Sequence, residues 1–288
     1  MEESAMTSRW PRVLVLGLAA WAIACVLYFL SDDEIFVPSV ILLGSFVVPV
    51  TVVFWLLDHR QSTELEPDRL LTAFLFAGVL GMVASGALET WLLPGRVFPN
   101  LWVGLIEEAA KGTAVALMAR GLPSYRVRDG LILGATVGFG FAAFETSGYA
   151  LSAAITPGGV SLRDLVSIEV LRAVLAPVGH GLWTGLLGAA LFRAARGGRL
   201  RFSAGVLGTY LAVSVLHAFW DSSTTIASVA TVIAEGTPAE RHALRPGNIP
   251  DASTLGSPLL FGTVQWTVTI AVALAGAAIW LRNWRSST

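Results

Sequence analysis

Glu107, Glu108 and Lys111 share one apolar stretch of the chain, and Lys111 is the only lysine among nineteen basic residues. Lys111 follows Glu107 by four residues and Glu108 by three, so on a helix its ammonium reaches either carboxylate across one turn. The adjacent glutamates point about 100° apart on a 3.6-residue helix and are expected to do different jobs. The next three apolar stretches carry Glu145, His180 and His217, with Asp221 one turn after His217 on the same face. Carboxylates and imidazoles transfer protons, imidazoles and carboxylates bind metal ions, and an ammonium orients a carboxylate. Acids, bases and metal-capable ligands therefore recur at similar depth in four consecutive stretches.

Such residues need helices in lipid to hold them. The chain is 55% apolar and 14% charged, against about 25% charged in a soluble domain. A helix needs about 20 mostly apolar residues to cross the hydrocarbon core, and eight runs qualify, at about 13–30, 35–57, 70–93, 98–119, 129–155, 165–192, 203–233 and 259–281. The expected fold is all-α, a polytopic transmembrane bundle of about eight helices forming one integral membrane domain over residues 1–288. Within it, residues 98–222 hold the expected catalytic helices, the fourth to seventh spans. The first run follows Arg9 and Arg12 but ends in Ser31-Asp32-Asp33-Glu34 with no small-residue cleavage site, so it reads as a retained helix rather than a signal peptide. The second and seventh spans contain Gly, Pro or Ser/Thr able to bend them.

Arginine placement gives the orientation. One set of loops and ends holds Arg9, Arg12, Arg60, Arg69, Arg120, Arg126, Arg128, Arg193, Arg196, Arg199, Arg201, Arg282 and Arg285, whereas the other holds Arg96, Arg163, Arg241 and Arg245. This imbalance puts both termini in the cytoplasm. The longest external connection, residues 234–258, is rich in Gly and Pro and reads as an irregular loop. A formal net charge of −1 gives no basic excess for nucleic acid, and the single cysteine, Cys25, excludes a disulfide framework and reads as packing or lipid-facing.

A charge at the bilayer centre costs about 2.5 to 3.5 kcal/mol on an insertion scale, so such residues persist when paired or functional. Each of these side chains alone could simply lock two helices together; seven together carry more meaning. Glu89, near the external end of the third span, and Glu169 with Arg172, near that of the sixth, read as structural, able to snorkel or to pair at three-residue spacing. His59 and His242 fall in loops, and Trp10, Trp91, Trp280 and Trp284 lie where aromatic anchors are expected.

Glu107-Glu108-x-x-Lys111, Phe141-x-x-x-Glu145, His180 within Gly-His-Gly-Leu-Trp-Thr-Gly, and His217-x-x-x-Asp221 resemble, in order and spacing, the motifs of the PrsW family of intramembrane proteases. The resemblance covers residues 98 to 222. It implies a polytopic enzyme of the bacterial cytoplasmic membrane, grouped with metalloproteases, that hydrolyses a peptide bond of a membrane-anchored protein. The founding type cleaves an anti-sigma factor at an external site. The family is similar to the CPBP or Abi group, which includes CAAX prenyl endopeptidases and has Glu-Glu-x-x-x-Arg, Phe-x-x-x-His and His-x-x-x-Asn, so Lys111, Glu145 and Asp221 set this chain on the PrsW side.

Peptide hydrolysis needs an activated water, a proton carrier for the leaving amine and stabilisation of the oxyanion. In a metal version His180, His217 and one carboxylate, Glu145 or Asp221, bind zinc with an open fourth position, and Glu107 or Glu108 is the base. In a metal-free version a glutamate held by Lys111 activates water while His180 and His217 stabilise the oxyanion. A His-Glu-x-x-His helix, which would decide for metal, is missing. A CAAX-type endopeptidase, a transporter or channel with a midplane charged site, and a membrane scaffold are the other classes; against transport, the chain has no repeated halves. Substrate identity and oligomeric state are not encoded in any motif.

Overall fold

A chain surrounded by lipid must satisfy its own backbone, and the apolar runs of this one do so as helices. A computed structural model describes residues 8–60, 64–244 and 257–286. Helix α1, Trp10–Ser31, begins with Pro11, whose missing N–H costs nothing there, and ends where Asp32 turns left-handed and donates its N–H to the Tyr28 carbonyl. Helix α2, Val37–Asp58, runs unbroken through Pro49. Helix α3, Pro67–Thr72, a π-helical turn, Ala73–Ala77, and α4, Gly78–Leu92, form one stretch. There follow α5, Pro99–Met118, and α6, Val127–Ala154, and then a hairpin of β1, Ile155–Thr156, and β2, Gly159–Val160, antiparallel with Ile155 opposite Val160.

The sixth expected span breaks in two. Helix α7, Leu162–Leu175, passes through a 3-10 turn, Ala176–Val178, before α8, His180–Ala194, begins. Pro177 in the turn cannot donate a backbone hydrogen bond, and the chain restarts as helix only at His180. His180, expected near the middle of a continuous span, is therefore the first residue of a half-helix. The seventh span is interrupted at Ser222 between α9, Ala204–Asp221, and α10, Ser223–Glu235. After α11, Pro238–Ala243, a short helix opened by a Thr237–Glu240 capping box, residues 245–256 of the expected external loop lie outside the described residues. Helix α12, Pro258–Ser286, closes the bundle.

The chain is thus an all-α multi-pass membrane protein. Six stretches among the described residues are long and apolar enough to cross a membrane: Trp10–Ser31, Glu34–Asp58, Pro67–Leu92, Val127–Ala154, Leu162–Ala194 and Pro258–Ser286. The other two expected spans are helical as well, as α5 and as α9 with α10, but they carry Glu107, Glu108, Lys111, His217 and Asp221, which lower their apolar character.

Helix α6 is the axis of the fold, buried along most of its length and packed against α2, α4, α5, α7 and α8. Its glycines let α8 approach backbone to backbone. A Cβ at Gly138 would stand 2.4 Å from the His180 carbonyl oxygen, and one at Gly130 would stand 2.5 Å from that of Gly188. Helix α5 meets α9 in the same way, for a Cβ at Gly104 would lie 2.5 Å from the Ser214 carbonyl oxygen and 3.4 Å from the His217 Cβ. Trp91 is exposed, as an anchor should be, whereas Trp280 and Trp284 are half-buried in packing and the Arg128 guanidinium lies 3.8 Å over the Trp284 ring. Cys25 is half-buried against the α1, α2 and α7 cluster.

The arginine-rich ends meet. Arg9 pairs with Asp58 at 3.4 Å, Arg69 donates to the Met118 carbonyl at 2.6 Å, and Arg128 donates to that of His59 at 3.0 Å. At the opposite end Asn100 donates to Ser222 at 3.1 Å. With Cys25 replaced by serine, a membrane-impermeant maleimide applied to intact cells should label Gly158→Cys in the hairpin and spare Ser286→Cys until the membrane is opened. The reverse pattern would invert the orientation.

Candidate active site

The site is built around Lys111, a fully buried side chain on α5. Its ammonium has three protons and three acceptors: Glu108 Oε1 at 2.7 Å, His180 Nδ1 at 2.8 Å and Glu107 Oε2 at 3.1 Å. The Phe141 ring covers it, with the nitrogen 4.1 Å from the ring centre. Burying an ion costs several kcal/mol, which direct carboxylate pairing offsets, so the ammonium and the two glutamates can only be buried together.

The two glutamates differ as their directions on the helix require. Glu108 is completely buried, and its Oε1 accepts from Lys111 and also from His217 Nδ1 at 3.0 Å. Glu107 lies at the edge of the pocket, 6% exposed, with Oε2 3.6 Å from His217 Nε2 and 4.0 Å from His180 Nδ1. Each imidazole is held on a second side by a carboxylate nearer the opening: His180 Nε2 lies 3.1 Å from Glu145 Oε2, and His217 Nε2 lies 3.2 Å from Asp221 Oδ2. Glu145 in turn accepts from Arg172, which also donates to Thr146 Oγ1 at 2.8 Å.

These contacts set the proton positions. Because His180 Nδ1 accepts from the ammonium, its proton is on Nε2 and is donated to Glu145. His217 donates from Nδ1 to Glu108 while Nε2 faces the carboxylates of Asp221 and Glu107, so a proton or a cation must stand on that nitrogen. Trp183, fully buried, floors the pair with ring centres 5.1 Å from His217 and 5.5 Å from His180.

All seven residues singled out in the sequence, Glu107, Glu108, Lys111, Glu145, His180, His217 and Asp221, meet here. Among the described residues Glu107, His180 and His217 form a group whose ligand atoms lie within 4.8 Å of one another. Two imidazoles and one carboxylate are a donor set that catalytic zinc uses, with Glu108 as the carboxylate that orients His217 from behind. Glu145 and Asp221, expected as ligands, each stand beside one histidine, and Glu107 rather than either lies between the two.

Four residues were misread or missed in the sequence. Arg172 pairs with Glu145 instead of Glu169, and Glu169 is buried and accepts from Trp21 Nε1 at 2.8 Å. Glu89, read as able to snorkel, keeps its Oε1 buried inside the bundle. Trp183 sits in the Gly-His-Gly-Leu-Trp-Thr-Gly segment three residues after His180, one helical turn away, and that spacing was its available signal.

Fold and site define a polytopic membrane protein with a buried glutamate, histidine and lysine centre, the equipment of hydrolysis inside a membrane. Residues 66–238 match the sequence model of the PrsW family intramembrane metalloproteases, well over half of the chain, and the chain belongs to that family of intramembrane proteases. No curated protein and no solved structure matches it.

Lys111→Met leaves two buried carboxylates and an imidazole acceptor without their donor, and should destabilise the folded chain by about 3 to 5 kcal/mol. Reversible unfolding in mixed micelles measures this, and a loss below about 1 kcal/mol would mean the ammonium is not what holds the cluster.

Proposed function

We propose that the chain hydrolyses a peptide bond of a membrane-anchored protein at Glu107, His180 and His217, which would hold a zinc ion once the Nε2 proton of His180 passes to Glu145 and that of His217 to Asp221. The convergence of their ligand atoms above Lys111 is the observation that carries this reading. When bound, zinc supplies a Lewis acid that polarises a water or the scissile carbonyl.

The residues of the chain do the rest. Lys111 aims Glu107 and Glu108, and Glu108 fixes the His217 ring through Nδ1. Glu145, braced by Arg172 and partly open, is placed to take the proton of the attacking water and return it to the leaving amine. His180 begins α8, so the positive end of that helix dipole lies at the pocket, where an oxyanion develops. A second, metal-free reading has its own support. His180, as found, uses Nδ1 to accept from Lys111 and presents Nε2–H as a donor, which suits oxyanion binding while Glu107 takes the water proton directly.

The more open side of the pocket, at Asp221 and Glu145, lies toward the end where Asn100 meets Ser222, away from the arginine-rich end. With the arginines in the cytoplasm of a bacterial cell, this supports cleavage at the external side, the geometry of a first cut in an anti-sigma factor or another single-span protein.

Membrane proteomes of cells with wild type and with Glu107→Gln should differ by a single-span protein that accumulates uncut in the variant, its cleavage slowed by about 100-fold or more. Identical sets of protein N-termini would refute the protease. The purified chain should hold about one zinc and lose activity to a chelator; full activity without metal would remove zinc and leave the glutamate mechanism.

A further inference from the structure

Helix α4 carries Gly81, Ser85 and Glu89 at four-residue spacing, so they share one face. That face is turned to the active site. A Cβ at Gly81 would lie 3.4 Å from the Phe141 ring and 4.0 Å from Lys111 Cγ, and Ser85 is buried one turn on. Glu89 follows a further turn along, about 12 Å from Gly81 on the helix axis, toward the open side of the pocket. Its Oε1 is buried and has no hydrogen-bond partner among the described residues. The carboxylate sits in the field of the site, attracted by Lys111 and His217 and repelled by Glu145 and Asp221.

A buried acceptor without a donor costs about 1 to 3 kcal/mol, and more when charged. A side chain that only needed water at the membrane surface would turn both oxygens outward, and this one keeps an oxygen inside. The donor it lacks is one that an extended peptide supplies, because every backbone N–H of a segment entering the cleft must be re-bonded once water is removed.

We infer that Glu89 is a substrate-binding residue whose carboxylate accepts a backbone N–H from the extended segment flanking the scissile bond. The inference rests on the protease reading above. It makes α4 the wall that seats the peptide.

The test uses purified wild type, Glu89→Ala and Glu89→Gln in proteoliposomes. The probe is the solubilised membrane fraction of cells carrying only the Glu107→Gln chain, added over a dilution series, with new N-termini counted by mass spectrometry. Glu89→Ala should need about tenfold more membrane fraction for half-maximal cleavage, the loss of one hydrogen bond to a charged group. Its limiting rate should stay within about threefold of wild type. Glu89→Gln, which keeps an acceptor oxygen, should fall between the two. Dilution curves that superimpose, or a lower limiting rate with unchanged half-saturation, would overturn the role of Glu89 while leaving the protease intact. No new N-termini with wild type would overturn the protease and this inference together.

Discussion

Everything in the site depends on the buried ammonium of Lys111 and its three acceptors. An ion so far from water is stable only where each of its protons is taken, and Glu107, Glu108 and His180 take them. The arrangement also works in reverse. Two adjacent carboxylates could not both stay charged in an apolar pocket without that nitrogen between them, and His180 would lose the donor that fixes its tautomer. One lysine thus sets the aim of the glutamates, the orientation of one imidazole and, through Glu108, the orientation of the other.

Holding four helices close enough for those contacts is the work of small residues. Gly138 and Gly130 admit the α8 backbone, and Gly104 admits that of α9, at separations that any Cβ would block. His180 and His217 are therefore positioned by backbone contact, and rigid elements hold a reactive geometry better than loops do. The break before His180 belongs to the same design. Irregular backbone is tolerated at membrane depth only inside protein or beside a polar cavity, and here it delivers a histidine and the end of a helix to one place.

Much of this was legible in the sequence because lipid makes charge conspicuous. Seven ionisable residues in four apolar stretches stood out against their background, and the spacing of Lys111 from the glutamates fixed which side chains touch. Spacing could not rank Glu107 against Glu108, since that depends on which neighbour each one faces. Nor did it reveal the break at Gly179, where Pro177 lies within a run apolar enough to look continuous. Arg172 and Glu169 have the right spacing for a pair, yet α7 turns them to different neighbours, Glu145 and Trp21. Trp280 sits at a helix end, as an interfacial anchor would, and packs inward because Gly185 leaves a gap for its ring. In each case the missing information was the identity of the neighbouring helix.

The central claim is that Glu107 and His217 act as parts of one centre organised by Lys111. A double-mutant cycle on the cleavage rate of one single-span substrate in proteoliposomes, with Glu107→Gln, His217→Ala and the two combined, tests it most directly. Residues acting as a unit are strongly non-additive, so the double variant should be about as slow as the slower single variant. A double variant slowed by the product of the two single losses would mean that the residues act independently, and would contradict the account.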